Sequence, residues 1–322
     1  MANALRLITP RLAEVERFIS AQLADAPESV REAGSYVFEG GGKRLRPAMV
    51  LLVSRLLGYQ GDRDVRYGAV IEMIHTATLV HDDIIDHAAL RRGRPTANHR
   101  WGNQLTVLLG DWLYTRSMEL ALEVDDVPVM RVLSRATIEM IEGEMIGLRM
   151  SGRLDTDEAT YMDIVRRKTA GIFAAATSIP ALFEPAFARH RATLTEYGTH
   201  LGVCFQIADD LLDLTASESS LGKPVFSDLR EGKLTLPFIR LLPRLKRSER
   251  EKLAQVLTTG HLGADAERDI RALLDRHGIV DEVRQVAMSF AERATACAAA
   301  LPAGVERDAL AEAPRYVIDR EF

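Results

Sequence analysis

Between Arg66 and Leu148 the apolar residues of this chain return every three or four positions, through Val70, Ile71 and Ile74, then within 78–85, 107–122 and 132–148. That spacing keeps one stripe of a 3.6-residue helix apolar, whereas a half-buried strand needs alternation at period two, which the chain lacks. The stretches 58–64, 91–102, 125–128, 151–157 and 217–226 punctuate the runs and have the length of connections between packed helices. No Ser/Gly-rich linker or shift of composition divides the 322 residues, so the expectation is an all-α fold and one domain over 1–322. Aromatic residues are scarce at 6%, which agrees with helix rather than sheet.

Two apolar runs end in the same acidic pattern, Asp82-Asp83-Ile84-Ile85-Asp86 and Asp209-Asp210-Leu211-Leu212-Asp213, 127 positions apart. In a helix, Asp82 and Asp86 stand one turn apart on one face, as do Asp209 and Asp213. A single such cluster reads most simply as a solvated face. These two lie among Leu79, Val80, Ile84 and Ile85, and among Ile207, Ala208, Leu211 and Leu214, so their carboxylates are partly buried and call for cations. Magnesium fits, since it takes hard oxygen ligands and binds through one or two carboxylates plus substrate phosphates. His75 and His81 flank the first cluster and suggest zinc or iron, but no histidine lies near the second.

Basic groups that would answer a phosphate come in compact motifs: Gly41-Gly42-Lys43-Arg44-Leu45-Arg46-Pro47, Arg91-Arg92-Gly93, Arg166-Arg167-Lys168-Thr169, and Gly222-Lys223 with Gly232-Lys233. Each alone is an ordinary turn or a solvated charge run. Together with two magnesium-type clusters, in a chain of net charge -5, they point to a polyanionic substrate met locally. Lys43 and Arg46 open a helical run, where backbone N–H groups also favour an anion.

The overall charge gives no reason to expect nucleic-acid binding. Two cysteines, Cys204 and Cys297, are too few for a disulfide framework and fit reduced thiols in a cytoplasmic setting. The first 23 residues alternate charged and apolar positions and read as an amphipathic helix, not a secretory signal. The longest uncharged run, 169–183, is too short to span a bilayer, which leaves only peripheral membrane contact for product release.

These motifs, in this order, resemble the trans-isoprenyl diphosphate synthases over nearly the whole chain. Gly41 to Pro47 is similar to that family's GGKRxRP motif, Asp82 to Asp86 with Arg91-Arg92 to its first aspartate-rich motif, and Lys168-Thr169 to its lysine-threonine pair. Phe205 to Asp213 is similar to the second aspartate-rich motif, and Gly222 to Pro237 to the basic segment after it. The resemblance implies an isoprenoid synthase fold, a helical bundle around a deep central cavity, and a homodimer. It implies that Lys43, Arg46, His75 and Arg92 hold isopentenyl diphosphate. Arg91, Lys168, Thr169, Gln206, Lys223 and Lys233 would hold an allylic diphosphate. Asp82, Asp86 and Asp209 would contact Mg2+ most directly, with Asp83, Asp210, Asp213 and Asp228 in support. Asp82, Asp86, Asp209, Lys168, Thr169 and Gln206 are then the groups expected to carry the chemistry.

The growing chain is expected to run along the helix before Asp82, past Thr78 and Ile74 with Ala77 on the flank. A turn advances about 5.4 Å, comparable to one isoprene unit. Short-chain relatives tend to place a bulky aromatic at Ala77 or Thr78, and here both are small. The segment 71–82 is most similar to that of octaprenyl-type synthases that make quinone side chains. The other readings are a farnesyl or geranylgeranyl diphosphate synthase, an HD-type phosphohydrolase suggested by His75 and His81-Asp82, and a non-catalytic synthase subunit. The last two leave the second cluster or its intact aspartates unexplained.

Overall fold

The computed structural model describes residues 2–215 and 225–319. Helices follow one another as α1 (Ala2–Ala24), α2 (Glu28–Glu39), α3 (Leu45–Leu56), α4 (Arg63–Ile85), α5 (Ala97–Leu122), α6 (Val127–Met150), α7 (Glu158–Val165), α8 (Gly171–Ser178) and α9 (Arg191–Thr215). Beyond the undescribed segment come α10 (Ser227–Arg230), α11 (Leu236–Leu241), α12 (Arg247–Thr259), α13 (Ala264–Arg276), α14 (Ile279–Ala299) and α15 (Val305–Ile318).

Two of these helices are apolar on almost every side, and a helix of that kind is satisfied only when neighbours surround it. α4 buries Val70, Ile71, Met73, Ile74, Ala77 and Val80 beneath α1, α3 and α5. α9 buries Leu194, Leu201, Val203, Ile207 and Leu211 beneath α8, α14 and α15. α8 touches α3, α4, α6 and α9, so it joins the two halves of the core.

Local sequence explains several boundaries. The carboxylate of Asp126 accepts the Val129 N–H at 3.1 Å and starts α6, while Asp157 accepts the Thr160 N–H at 2.8 Å and starts α7. The stretch 91–102, expected as a loop, instead holds a two-stranded hairpin and the first turn of α5. Leu90 pairs with Pro95 and Arg91 with Arg94, and Arg92-Gly93 forms the turn with φ of 52° and 72°. Positive φ at both turn positions matches the twist of a tight hairpin, and glycine takes one of them without strain. Gly102, at φ 81°, kinks α5 soon after it starts.

Between α7 and α8 the chain widens into a π-helical turn, Arg166–Ala170. Such a turn inserts one extra residue and re-aims the side chains around it. Glycines make room for it. A Cβ on Gly143 of α6 would lie 2.7 Å from the Lys168 backbone nitrogen, and one on Gly202 of α9 would lie 2.5 Å from the Ala170 Cα.

Both acidic clusters fall at the C-terminal ends of the central helices: Asp82 in the last turn of α4 with Asp86 as its C-cap, and Asp209 to Asp213 just before α9 ends at Thr215. Carboxylates at the negative end of a helix dipole are unfavourable without a cation. Among the described residues, no helix is long and apolar enough to cross a membrane.

Candidate active site

The first cluster is met by two lysines from distant parts of the chain. Lys168 Nζ lies 3.4 Å from Asp82 Oδ2 and also pairs with Glu144 of α6. Lys233 Nζ donates to Asp86 Oδ1 and to Glu231 Oε2, each at 2.8 Å. Burial pushes the Asp82 carboxyl up, Lys168 opposes this, and Glu144 and Asp86 add to it. Burial alone would lower both lysines, but Asp82 and Glu144 raise Lys168, and Glu231 and Asp86 raise Lys233. Asp83 points elsewhere: its buried carboxylate accepts from Arg91 Nε at 2.7 Å, tying the hairpin to the end of α4.

The second cluster divides in the same way. Asp209 is exposed, whereas Asp210 and Asp213 are buried. Asp213 accepts the Ser227 hydroxyl at 2.5 Å and the backbone N–H groups of Ser227 and Asp228 at 3.2 Å each, holding the start of α10. Asp210 accepts the Tyr161 hydroxyl at 2.6 Å and the Gln206 amide at 2.8 Å. Burial pushes the Asp210 carboxyl up to about 7 against these two hydrogen bonds. Gln206 in turn accepts the Thr169 hydroxyl at 2.7 Å.

A cavity of about 720 Å³ connects these groups; Asp86, Lys168, Thr169, Gln206, Asp210, Asp228 and Lys233 all line it. The π turn is what brings Lys168 and Thr169 to the cavity, while their neighbour Arg167 pairs with Asp163 and Glu142 instead. Ile74, Ala77 and Thr78 are not part of this wall. Ile74 and Ala77 are buried in the core, and the Thr78 hydroxyl donates to the His75 carbonyl at 2.8 Å.

A second group of cations gathers beside the first cluster. Arg46, in the first turn of α3, stacks over Phe173 with its guanidinium 4.6 Å from the ring centre and lies 3.1 Å from His75 Nε2. Burial, then Arg46, Arg91, Arg92 and Arg44, hold the His75 imidazole well below its usual range. Arg92 packs against Gly42, where a Cβ would lie 2.9 Å from its guanidinium. Arg44 is spent on the fold, bonding Glu72 at 2.7 Å and the Phe38 carbonyl at 2.8 Å. Lys43 Nζ sits 5.8 Å from the ring centre of Tyr316 on α15. A neutral imidazole among four arginines is surroundings for an anion.

His75 thus faces cations, and His81 turns toward α5, 3.1 Å from the Val107 carbonyl. Neither joins the aspartates as an HD-type metal site requires. The acidic groups that line the cavity, Asp86, Glu144, Asp210, Asp228 and Glu231, offer carboxylate oxygens, the donors a magnesium-type cation takes. Lys223 lies outside the described residues. Glu144, Tyr161 and Glu231 are parts of the site that motif reading did not single out. Glu144 had one signal, an acid inside the apolar run 132–148; Tyr161 had none, because its role exists only across two helices.

Paired carboxylate ends of two central helices, answered by partly buried lysines and arginines, define an all-α enzyme site for anionic substrates. Residues 27–275 match the family model described as Polyprenyl synthetase. The chain is 36% identical, over 99% of its length and 97% of the relative's, to an all-trans-nonaprenyl-diphosphate synthase (geranyl-diphosphate specific) of Rhodobacter capsulatus. It is 34% identical, over 96% of each chain, to the octaprenyl diphosphate synthase of Escherichia coli. The fold superposes with a TM-score of 0.93, at 34% identity and over 99% and 97% of the two chains, on a polyprenyl synthase from Caulobacter crescentus complexed with calcium and isoprenyl diphosphate. The chain belongs to the polyprenyl synthetase family, with the isoprenoid synthase fold, and is a prenyltransferase.

Proposed function

We propose that this protein condenses isopentenyl diphosphate with an allylic diphosphate, with magnesium, and extends the product to a long, octaprenyl-type polyprenyl diphosphate of the kind used for quinone side chains. The observation that carries the reading is the division of cations into two groups around the first cluster. Lys168 and Lys233 face the cavity between the clusters, and Arg46, Arg92 and neutral His75 form a separate pocket beside it. One pocket suits each diphosphate.

In this reading Asp82, Asp86 and Asp209 hold the magnesium, which supplies positive charge to the allylic diphosphate when bound. Lys168, Lys233 and the amide N–H of Gln206, whose carbonyl the Thr169 hydroxyl holds, stabilise the departing diphosphate as charge develops on it. The allylic C–O bond breaks, the electron pair leaves with the diphosphate, and an allylic cation remains. Arg46, Lys43, His75, Arg92 and their neighbours hold isopentenyl diphosphate so that its alkene attacks that cation, which is catalysis by positioning. The proton then lost goes to the released diphosphate. Packed apolar walls keep water from quenching the cation.

A long product is favoured by the likeness to the nonaprenyl and octaprenyl synthases, matched over 99% and 96% of the chain, and by the small side chains at Ala77 and Thr78. A second copy of the chain is favoured by an unpartnered apolar face. Ile138, Ile141, Met145 and Leu148 of α6 are exposed at helical spacing beside exposed Val107, Leu108 and Tyr114 of α5, with Leu108 61% and Met145 65% exposed. An apolar area of this kind marks an interface. We place the protein in the cytoplasm, released product meeting the membrane only at its surface.

The test is incubation of purified protein with magnesium, labelled isopentenyl diphosphate and each allylic primer in turn, followed by reversed-phase sizing of products. Long polyprenyl products that vanish in EDTA support the reading. Products that stop at farnesyl or geranylgeranyl length sink the long-chain part, and phosphate release without consumption of isopentenyl diphosphate sinks the whole. Light scattering is expected to give twice the chain mass.

A further inference from the structure

Both carboxylate oxygens of Asp210 are bound by neutral side chains of the protein. Tyr161 Oη donates to Oδ2 at 2.6 Å, and Gln206 Nε2 donates to Oδ1 at 2.8 Å. Asp210 is 3% exposed and Tyr161 5%. The bond from Gln206 Nε2 to Oδ1 turns the amide NH2 toward Asp210 and its carbonyl away. That carbonyl accepts the Thr169 hydroxyl at 2.7 Å, so the proton of Thr169 is directed too. The four groups form one directed chain, Tyr161 to Asp210 to Gln206 to Thr169, from α7 across α9 to the π turn.

We propose that Tyr161 is a positioning residue for the allylic-diphosphate end of the site: through Asp210 it fixes the orientation of Gln206 and Thr169. With Asp210 anchored on its far side, the second Gln206 N–H is directed by the chain, and the Thr169 hydroxyl, its proton given to the Gln206 carbonyl, holds that amide in place. Without Tyr161, the buried carboxylate keeps only the Gln206 bond and is free to rotate, and the Gln206 amide loses the anchor that selects one of its two flips. The cost falls on whatever anion contacts Gln206 and Thr169, and not on the pocket of Arg46 and His75. The inference rests on the reading that Lys168, Thr169 and Gln206 receive the allylic diphosphate.

The experiment compares wild type with Tyr161→Phe, Gln206→Ala and the double variant. It measures binding of a non-ionisable allylic thiolodiphosphate in saturating magnesium, KM for each substrate, the magnesium concentration for half activity, and Tm. Tyr161→Phe is expected to weaken analogue binding and raise the allylic KM on the order of ten-fold, the loss typical of a hydrogen bond to a charged group. The isopentenyl diphosphate KM and the magnesium requirement are expected to stay at wild-type values. In the Gln206→Ala background the same change is expected to cost almost nothing further, since the path runs through Gln206. Equal rises in both KM values, a fall in Tm without a change in either KM, or additive effects in the double variant would each overturn the proposal. A shifted magnesium requirement would overturn it in favour of Asp210 as a metal ligand. If wild type itself does not bind the analogue, the proposed function fails with it; if wild type binds and Tyr161→Phe binds equally well, only this inference fails.

Discussion

Lys233 Nζ donates to Asp86 Oδ1 at 2.8 Å across 147 residues of sequence, and Lys168 stands in the same relation to Asp82, 3.4 Å away. Each lysine is therefore shared between an aspartate of the first cluster and the cavity. In the function proposed above, a diphosphate entering with its cations would compete for the lysines while the cations take the aspartates, so the site would exchange partners without leaving a partly buried charge alone.

Asp82 is held in the fold at a cost, since burial and the like charges of Glu144 and Asp86 disfavour its ionised form. Asp82→Asn keeps the shape and removes the charge. Prenyl transfer is expected to fall by at least about a hundred-fold, the scale of losing electrostatic stabilisation in a transition state, while Tm without metal stays at or above the wild-type value. A large drop in Tm would show that the carboxylate serves the fold instead.

Gly143 lets α6 approach the π turn, and an added methyl would meet Lys168 N at 2.7 Å and Arg167 Cβ at 2.9 Å. Gly143→Ala is expected to destabilise by about 1–3 kcal/mol, as overpacking does. Because the displaced atoms carry Lys168, kcat/KM is expected to fall more than stability accounts for. Calorimetry and steady-state kinetics on the same sample separate the two, and normal kinetics with lowered Tm would detach the turn from function.

His75 has a folded-state pKa depressed well below its ordinary value by burial and by the arginines around it. The unfolded chain therefore binds a proton near pH 6.5 that the folded chain refuses, so stability is present above that pH and lost as pH falls through it, by up to about 1.4 kcal/mol per pH unit. Chemical denaturation between about pH 7 and pH 5 is expected to show a shallower loss in His75→Gln than in wild type. Parallel curves would mean that His75 protonates freely in the fold.

Ala77 lies one turn and a residue before Asp82 and is 2% exposed, against the core between α4 and its neighbours. Ala77→Phe is expected to shorten the product, read by reversed-phase chromatography, with some loss of Tm from crowding. An unchanged product length in a folded variant would place the limit of chain growth elsewhere.

The helical period of the apolar residues and the absence of alternation already determined an all-α chain, because side-chain spacing selects the element before any packing occurs. The residue types of the two acidic motifs pointed to the proposed chemistry in the same way, since hard oxygen donors in an apolar setting call for a cation like magnesium. What the sequence left undivided was the work among equals. Asp83, Asp210 and Asp213 match Asp82, Asp86 and Asp209 in type and spacing, yet the fold spends them on Arg91, on Tyr161 and Gln206, and on the start of α10. Those partners lie 4 to 49 residues away, and which carboxylate meets them depends on how α4, α7, α9 and α10 are turned against one another. The π turn has the same origin. Nothing in Arg166 to Ala170 announces an extra residue in the turn, but only with it, and with Gly143 and Gly202 opposite, does the packing direct Lys168 and Thr169 into the cavity while Arg167 stays outside. Local periodicity sets what each segment is, and the close approach of segments distant in sequence sets which of its side chains are left to act.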